Sequence, residues 1–217
     1  MRSKMKNYYI ADTHFAHPNV IRFDRRPFSS VKEMDEKLIE NWNYMVEPTD
    51  VVYILGDWIF LKAVNPLYME IGTRLNGQKV LITGNHDPKQ FSKEQRHQLN
   101  IVEIAPVKEI VESDGSHVIL SHYPMPFFRC DYKEDFYHFC GHVHTTKEDA
   151  ALEALSKSIV LSYEVSGDNF GNILNVGCMK SYMSYSPQSF DYLKQIIKQR
   201  NEQFLLEGET KNVSNSR

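Results

Sequence analysis

Short apolar runs alternate with helical stretches through the first half of the chain, and this alternation restricts the fold more than any other feature. The runs are Tyr8–Ala11, Val51–Leu55 and Val80–Thr83, and each has the length of a buried strand. Strands that alternate with helices pair in parallel, through right-handed crossovers. The first half of the chain therefore predicts a parallel β-sheet with helices packed on it.

Three helices are predicted around these strands. Apolar residues at helical spacing indicate a helix over Val31–Met45, and Ser30 begins a capping-box pattern in front of it. A second helix is predicted over Asn65–Leu75, with Gly77 placed to end it. A short helix is predicted around Ser92–Gln98.

The second half of the chain is rich in strand-like runs. These runs are Ile101–Ile104, Val107–Glu112, His117–Ser121, Phe136–Cys140 and Asn172–Val176. Ser113–Ser116 is typical of a hairpin turn, and Phe190–Phe204 predicts a final helix. The predicted fold class is therefore α/β, with two packed mixed β-sheets flanked by helices. Residues 1–206 are expected to form a single domain, and residues 207–217 a disordered polar tail.

Composition argues against several other classes of protein. The 217 residues are 41% hydrophobic, which is enough for a packed core without disulfide bonds. The three cysteines form no Cys-x-x-Cys pair, so neither a disulfide framework nor a structural zinc site is expected. No apolar segment has the length of a signal sequence or a membrane span. A cytoplasmic protein without a membrane partner is therefore the expectation.

Polar clusters follow five of the predicted strands. They are Asp12–His14, Gly56–Asp57, Gly84–Asp87, Ser121–His122 and Gly141–His144. In an α/β sheet, side chains at the carboxyl ends of the strands can converge on one cleft. Asp12 with His14, and His142 with His144, are spaced so that extended backbone would point both side chains to one face. The five clusters therefore predict one polar site.

The donor types in these clusters are those of a metal centre. Two aspartates, one asparagine and four histidines, without a thiolate, suit Mn²⁺, Fe or Zn²⁺, with Mn²⁺ favoured. These side chains are too many for one tetrahedral ion, and two divalent ions that share a carboxylate would use them all. Glycines precede Asp57, Asn85 and His142, where they would allow a sharp turn or a close approach to a ligand.

The order of these clusters resembles that of the calcineurin-like metallophosphoesterase superfamily. Asp-x-His, Gly-Asp, Gly-Asn-His-Asp, His and Gly-His-x-His occur in turn between Asp12 and Gly177. Small phage- and bacteria-associated members are similar in four further segments, which are Asp12–His17, Arg26–Phe28, Met34–Glu36 and Asn175–Gly177. The chain departs from their pattern at Ala16, where glycine is expected, at Cys178 and Met179, and in a longer insert over 145–171.

The resemblance implies a role for each matched residue. The metal ligands would be Asp12, His14 and His144 for the first ion, Asn85, His122 and His142 for the second, and Asp57 for both. His86 would protonate the leaving alkoxide or stabilise the charge of the transition state, and Asp87 would orient His86. His17, three residues after His14, is a candidate for substrate binding or for supporting the metal ligands. Arg26 is a candidate for substrate binding, since an arginine is suited to phosphate, and a solvated loop arginine is the alternative.

The resemblance also implies an activity. The chain would hydrolyse phosphomonoesters or phosphodiesters by in-line attack of a metal-bridging hydroxide. The expected substrate is a small phosphate ester, with nucleotide-derived esters among the candidates. A net charge of −3 without a basic stripe disfavours long nucleic acids. A DNA or RNA nuclease and a non-catalytic scaffold of the same superfamily are the alternatives.

Other histidines and aromatic residues are interpreted as structural. His97, His117 and His138 lie outside the matched clusters. A group of aromatic residues could line a base-stacking wall, but core packing is favoured for its members, which are Phe127, Phe128, Tyr132, Phe136 and Tyr137.

Overall fold

The computed structural model describes residues 5–163 and 171–215, and within them the chain forms nine strands and six helices. The strands are β1 Asn7–Ile10, β2 Val51–Ile54, β3 Gln78–Ile82, β4 Ile101–Ala105, β5 Val107–Val111, β6 His117–Ser121, β7 Phe136–Cys140, β8 Ile173–Asn175 and β9 Gln188–Ser189. The helices are α1 Pro18–Phe23, α2 Val31–Met45, α3 Pro66–Thr73, α4 Lys93–Gln98, α5 Lys147–Tyr163 and α6 Phe190–Asn215.

The first sheet contains five strands in the order β4-β3-β2-β1-β9. Strands β1 to β4 are parallel, as the sequence predicts, and β9 adds an antiparallel edge next to β1. The register aligns Tyr9 of β1 with Tyr53 of β2, and Tyr53 with Val80 of β3. The loops that follow these three strands therefore lie side by side at one edge of the sheet.

The second sheet contains four strands in the order β5-β6-β7-β8. Strands β5 and β6 form the predicted antiparallel hairpin, whereas β6, β7 and β8 are parallel, so the sheet is mixed. In the hairpin turn Gly115 has a left-handed φ of 87°, and the N–H of Ser116 donates to Asp114 Oδ1 at 2.9 Å. Pro106 alone joins β4 in the first sheet to β5 in the second.

The two sheets pack on each other around a shared hydrophobic core. Tyr9 of β1 meets Phe139 of β7 edge to face, with ring centroids 5.0 Å apart. The hydroxyl of Tyr9 donates to the carboxylate of Glu112, which gives this buried phenol a polar partner. Trp42 of α2 is buried, and its Nε1 donates to the carbonyl of Asn76 at 3.0 Å. The architecture confirms an α/β fold with two packed mixed sheets flanked by helices.

Helix α2 begins and ends where the sequence predicts. The hydroxyl of Ser30 accepts the N–H of Glu33 at 3.2 Å, which is one half of the predicted capping box. The carboxylate of Glu33 accepts the N–H of Ser29 at 2.7 Å, so the other half is made one residue earlier. Helix α3 ends at Thr73, two residues before its predicted end, and Gly77 lies in the following turn with a φ of 85°.

The structure differs from the sequence prediction in three helical regions. Helix α1 is too short to show an apolar period, and α5 occupies most of the insert over 145–171, for which no element is predicted. Helix α6 continues to Asn215, through most of the segment over 207–217 that is predicted to be a disordered tail. A Cβ on Gly208 would lie 2.7 Å from Leu161 Cδ2. Helix α6 therefore still contacts α5 beyond Phe204, where its apolar periodicity ends. No helix in the described part of the chain is long and apolar enough to cross a membrane.

Lys79 of β3 is a buried basic residue, with only 2% of its surface exposed. Its Nζ donates to the carbonyl of Leu75, just beyond the end of α3. Burial lowers the pKa of Lys79 to about 8, because removal from water disfavours the charged amine. The folded chain therefore binds this proton less tightly than the unfolded chain does.

Replacement of Lys79 by methionine is expected to raise the free energy of unfolding at pH 7 by about 1–3 kcal/mol, since the buried charge is removed and the length of the side chain is kept. Between about pH 8 and pH 10.5 the unfolded wild type holds more protons than the folded form, so its stability rises with pH. The advantage of the variant should therefore shrink over that range. Urea denaturation at pH 7 and at pH 10 measures both effects.

The exposed Lys37 provides the matched control, because Lys37→Met should leave the free energy of unfolding nearly unchanged at both pH values. An advantage of Lys79→Met that stays constant with pH would show that the buried amine does not carry the effect.

Candidate metal centre

Loops at the carboxyl ends of the strands meet where the two sheets come together. Ala11, just after β1, donates its N–H to the carbonyl of Val176 at 2.9 Å, and the N–H of Cys178 donates to the carbonyl of Ala11 at 2.9 Å. The N–H of Asp12 donates to the carbonyl of Gly56, after β2, at 3.1 Å. The segment after β1 is therefore bonded to both sheets, and the polar clusters of both sheets converge on it.

The backbone at the predicted metal ligands is left-handed and not extended. The φ angles are positive at five of them, which are Asp12 at 55°, His14 at 49°, Asp57 at 52°, His142 at 69° and His144 at 47°. The prediction that extended backbone aligns each pair is therefore wrong, although the pairs do converge. Aspartate and histidine are among the residues that adopt this conformation most readily, at a cost on the order of 1–3 kcal/mol each.

Ala16, at which the sequence pattern favours glycine, shares this conformation, with a φ of 62°. Its N–H donates to the two carboxylate oxygens of Asp35 in α2, at 3.0 and 3.1 Å. Glycine adopts a positive φ without the steric penalty that a Cβ brings. The departure from the pattern therefore places strain at this position, and the contact with Asp35 opposes it.

The three glycines singled out in the sequence act in two ways. Gly56 is left-handed, with a φ of 84°, and makes a sharp turn. A Cβ on Gly84 would lie 2.4 Å from Asp57 Oδ1, and one on Gly141 would lie 2.6 Å from Asp12 Oδ2. The predicted sharp turn is therefore confirmed at Gly56, whereas Gly84 and Gly141 allow a close approach of the site's own carboxylates, and a close approach to a ligand stays a prediction.

The three residues predicted for the first ion lie together. His14 Nε2 and His144 Nε2 are 3.2 Å apart, and His144 Nε2 is 3.8 Å from Asp12 Oδ1. One donor atom from each of these residues lies within 4.8 Å of the other two, a spacing that could hold a metal ion. Asp12 and His14 are buried, whereas His144 is partly exposed.

The three residues predicted for the second ion also lie together. His122 Nε2 is 3.0 Å from Asn85 Oδ1 and 3.2 Å from His142 Nδ1. Tyr123, which sequence reasoning missed, packs against His142 with ring centroids 4.4 Å apart. Its hydroxyl donates to Asn85 Oδ1 at 3.4 Å. Asn85 follows β3 and both histidines follow strands of the second sheet, so this group draws donors from both sheets.

Asp57 lies between the two groups. Its Oδ2 is 3.5 Å from His14 Nε2 and 3.7 Å from His122 Nε2. Its Oδ1 accepts the backbone N–H of His86 at 2.9 Å, which holds the carboxylate in this orientation. Donor atoms of Asp12, Asp57 and His122 also lie within 4.8 Å of one another. Two carboxylates therefore link the groups, whereas the sequence prediction gives this role to Asp57 alone.

The hydrogen bonds of His122 provide a test of whether a cation fits. Its Nδ1 lies 2.8 Å from the carbonyl oxygen of Leu55, which can only accept, so Nδ1 carries the proton in the neutral ring. Its Nε2 then directs a lone pair towards Asn85 Oδ1 at 3.0 Å, which is itself an acceptor. A cation between these atoms would satisfy both. The residues therefore fit a divalent metal that takes mixed nitrogen and oxygen ligands.

Burial shifts the pKa values of the donors in a consistent way. It raises the pKa of Asp12 to about 6 and lowers the pKa of His14 well below its ordinary value. Burial also lowers the pKa of His142. The lowered pKa values favour the neutral rings of His14 and His142, which can offer a lone pair, and a cation beside Asp12 would favour its charged form.

Asp24, another residue that sequence reasoning missed, orients His144. Its Oδ1 lies 2.8 Å from His144 Nδ1, so the other ring nitrogen, Nε2, faces His14 and Asp12. Burial disfavours the charged ring of His144, but the hydrogen bond to Asp24 and the nearby Asp12 outweigh it and raise the pKa of His144. Carboxylates placed in this way fix the tautomer of a ligating imidazole. The only signal for Asp24 in the sequence is its position two residues before Arg26, which does not reveal its partner.

Arg26 is buried against the loop after β1, with 4% of its surface exposed. Its Nη1 donates to the carbonyl of Thr13 and its Nη2 to the carbonyl of Asp12, each at 2.8 Å. Nε and Nη2 also donate to Asp24 Oδ2, at 3.0 and 2.8 Å. The prediction that Arg26 contacts substrate is therefore wrong, because its donors bind the carboxylate of Asp24 and the backbone carbonyls of the strained loop after β1.

Asp87 is buried and binds backbone instead of orienting His86. Its carboxylate accepts the N–H groups of Asp57 at 2.9 Å, Trp58 at 3.0 Å and Gly84 at 2.8 Å. These contacts tie the loop after β2 to the loop after β3, which corrects the predicted role. The ring of His86 is exposed at the mouth of the site, with its centroid 5.7 Å from that of His14.

His17 lies beside the first donor group and caps α1. Its Nδ1 accepts the N–H of Asn19 at 3.2 Å, and its ring stacks on Phe60 with centroids 3.7 Å apart. Its centroid is 5.5 Å from that of His14. The predicted role of His17 in substrate binding stays a prediction, and Phe60 is a further neighbour that sequence reasoning missed.

The remaining histidines have structural contacts or are exposed. His138 is fully buried, with Nδ1 3.0 Å from the carbonyl of Ile119 and Nε2 accepting the N–H of Met125 at 3.0 Å. His117 stacks on Phe136, and His97 is exposed.

The five aromatic residues for which core packing is predicted differ in burial, because some are buried as predicted and others are not. Phe136 and Tyr137 are buried, Phe128 is partly buried, and the exposed members are Phe127 and Tyr132.

Comparison with known proteins relates the whole fold to other chains. No protein-family model matches the sequence. The crystal structure of the protein of unknown function AQ665 from Aquifex aeolicus has the same fold, with a TM-score of 0.61 and 24% identity over 89% of this chain and 100% of that one. The uncharacterized protein MJ1445 from Methanocaldococcus jannaschii is 32% identical over 195 residues, which cover 90% of this chain and 93% of MJ1445. This chain therefore belongs to the same family as MJ1445.

Proposed function

We propose that this chain is a metal-dependent phosphoesterase of the calcineurin-like metallophosphoesterase superfamily. It would hydrolyse small phosphomonoesters or phosphodiesters with two divalent ions, of which Mn²⁺ suits the donors best. The observation that carries the proposal is the position of Asp57, whose Oδ2 lies 3.5 and 3.7 Å from imidazole nitrogens of the two donor groups. A shared carboxylate of this kind would keep two ions close enough to act on one phosphate.

The charge of the centre also favours a phosphate ester. Asp12 and Asp57 are the only carboxylates among the seven proposed ligands, so two bound divalent ions would outweigh them and leave a local positive charge. A phosphate could therefore bind although the whole chain has a net charge of −3. No basic surface is required for a small substrate.

The residues around the centre support a hydrolytic mechanism. Bound divalent ions would lower the pKa of a water molecule to about 7, and their positive charge would stabilise the phosphoryl oxygens. His86 would donate a proton to the leaving oxygen, since its ring is exposed at the mouth and its N–H is fixed to Asp57 Oδ1 at 2.9 Å. Asp24 would hold His144 in the tautomer that presents Nε2, and Arg26 would keep Asp24 in place.

Asp57→Asn is expected to remove both ions together, because Asp57 faces both donor groups and the substitution removes its charge. Metal content, measured after loading with Mn²⁺ and desalting, should fall from two ions per wild-type chain to less than one. The exposed Asp135 provides the control, and Asp135→Asn should keep two ions. A variant at Asp57 that retains both ions would refute the shared role of this carboxylate.

Asp24→Asn is expected to weaken Mn²⁺ binding about 10–100-fold, since the amide can still accept from His144 but no longer raises its basicity. Isothermal titration of the metal-free protein measures the affinity, and a thermal melt checks that the fold is kept. Asp135→Asn again serves as the control. Wild-type affinity in the Asp24 variant would mean that this carboxylate serves only the packing of Arg26.

His86→Ala is expected to keep both metal ions but to lose rate selectively. Hydrolysis of an alkyl phosphate, whose leaving group needs a proton, should slow by about 10²–10⁴-fold, and hydrolysis of a nitrophenyl phosphate by much less. His97 is an exposed histidine outside the site, and His97→Ala should leave both rates unchanged. Equal losses for the two esters in the His86 variant would contradict a role as general acid.

A further inference from the structure

An aromatic surface flanks the first donor group, and we name its three residues, His17, Phe23 and Phe60, the aromatic shelf. His17 stacks on Phe60 with ring centroids 3.7 Å apart and an interplanar angle of 21°. Phe23 meets His17 edge on, with centroids 6.4 Å apart. Phe60 remains 36% exposed and Phe23 65% exposed. Two phenyl rings therefore face solvent beside a polar site.

Backbone contacts hold the shelf in place. The N–H of Phe60 donates to the carbonyl of Phe15 at 2.9 Å, and Phe15 pairs with Ile59 in a parallel bridge. His17 is fixed as the cap of α1 through the N–H of Asn19. These contacts connect Phe60 and His17 to the loops after β1 and β2, which also carry donor residues. A ligand would meet a preformed surface and not a mobile side chain.

The shelf lies on the side of the site where His86 is found. The ring centroid of Phe60 is 5.1 Å from that of His86 and 6.2 Å from that of His14. A group that receives a proton from His86 would therefore extend over Phe60. Another exposed ring, that of Tyr123, packs on His142 at the second group, with centroids 4.4 Å apart. The side of the centre near His86 is therefore lined by Phe60, whereas the side near His142 is lined by Tyr123.

We propose that the aromatic shelf binds a flat ring carried by the leaving group, so that the substrate class is the phosphate esters of nucleosides. The position of the ring on the leaving group rests on the proposed function, whereas the affinity of the shelf for a base does not. Stacking on an aromatic side chain tolerates every base, because each base has a flat face. A sugar or alkyl leaving group offers no such face and would gain little from Phe60.

Two pairs of ligands isolate the contribution of the base. Adenosine and ribose, added to the metal-free protein, measure stacking without phosphate and without turnover. AMP and ribose 5-phosphate, given to the protein loaded with Mn²⁺, measure the same difference during hydrolysis. Adenosine should bind saturably and ribose should not, as followed by ligand-observed NMR. The ratio of kcat/KM should favour AMP by about tenfold or more, the size expected for one stacked base.

Three variants test whether Phe60 carries this preference. Phe60→Leu should weaken adenosine binding about tenfold and lower the ratio of kcat/KM for AMP to kcat/KM for ribose 5-phosphate by a similar factor. Phe60→Tyr keeps an aromatic face and should restore both values. Phe127 is an exposed phenylalanine that lines a separate surface with Asp131 and Ile159, and Phe127→Leu should behave as wild type.

The results separate this inference from the proposed function. Adenosine binding that depends on Phe60, in a protein that hydrolyses no ester, would overturn the phosphoesterase and support the shelf as a nucleoside site. Hydrolysis of AMP and ribose 5-phosphate with equal kcat/KM, together with adenosine binding that is absent or unchanged in Phe60→Leu, would overturn the shelf and leave the phosphoesterase standing.

Discussion

The backbone of Ala11 joins the two sheets, and the candidate metal centre depends on this junction. Its N–H and carbonyl bond to the segment after β8, and the next residue, Asp12, bonds to the segment after β2. Loops from different sheets are thereby held at hydrogen-bond distance. Gly84 and Gly141 then let carboxylates approach the backbone at positions where any side chain would collide with them. The donors converge because the sheets meet, and not because any one segment contains a complete site.

This arrangement concentrates backbone strain at the donors. Five of the seven proposed ligands have a positive φ, and each such residue costs on the order of 1–3 kcal/mol. Buried ionic groups oppose that strain. The carboxylate of Asp87 accepts three N–H groups from two loops, and the guanidinium of Arg26 binds the carbonyls of Asp12 and Thr13. Both residues belong to the sequence pattern of the site, yet they act on its backbone.

The sequence predicts the elements and the donors better than the supporting contacts. Strands β1 to β8 and the bounds of α2 follow from apolar runs and capping, which are local properties, whereas the two-residue β9 is not predicted. Asp24, Tyr123 and Phe60 could not be found in this way, because each contacts a residue of the site that lies far away in the sequence. The inward direction of Arg26 is not visible in the sequence either, because it depends on the conformation of the loop after β1, whose carbonyls accept its hydrogen bonds. Helix α5 packs on α6 and lies in a segment whose apolar residues show only a weak helical period, so local patterning does not predict it.

The crossing from the first sheet to the second at Pro106 has a consequence for the order of folding. Four of the five strands of the first sheet precede Pro106, the whole second sheet follows it, and only the two-residue β9 returns to the first sheet, so each sheet can pair from nearly contiguous sequence. His14 and His144, in contrast, are separated by 130 residues and meet only after the sheets dock. Closing so long a loop early is entropically unfavourable. The donor cluster should therefore form last, and metal occupancy would depend on completed docking of two separately formed sheets.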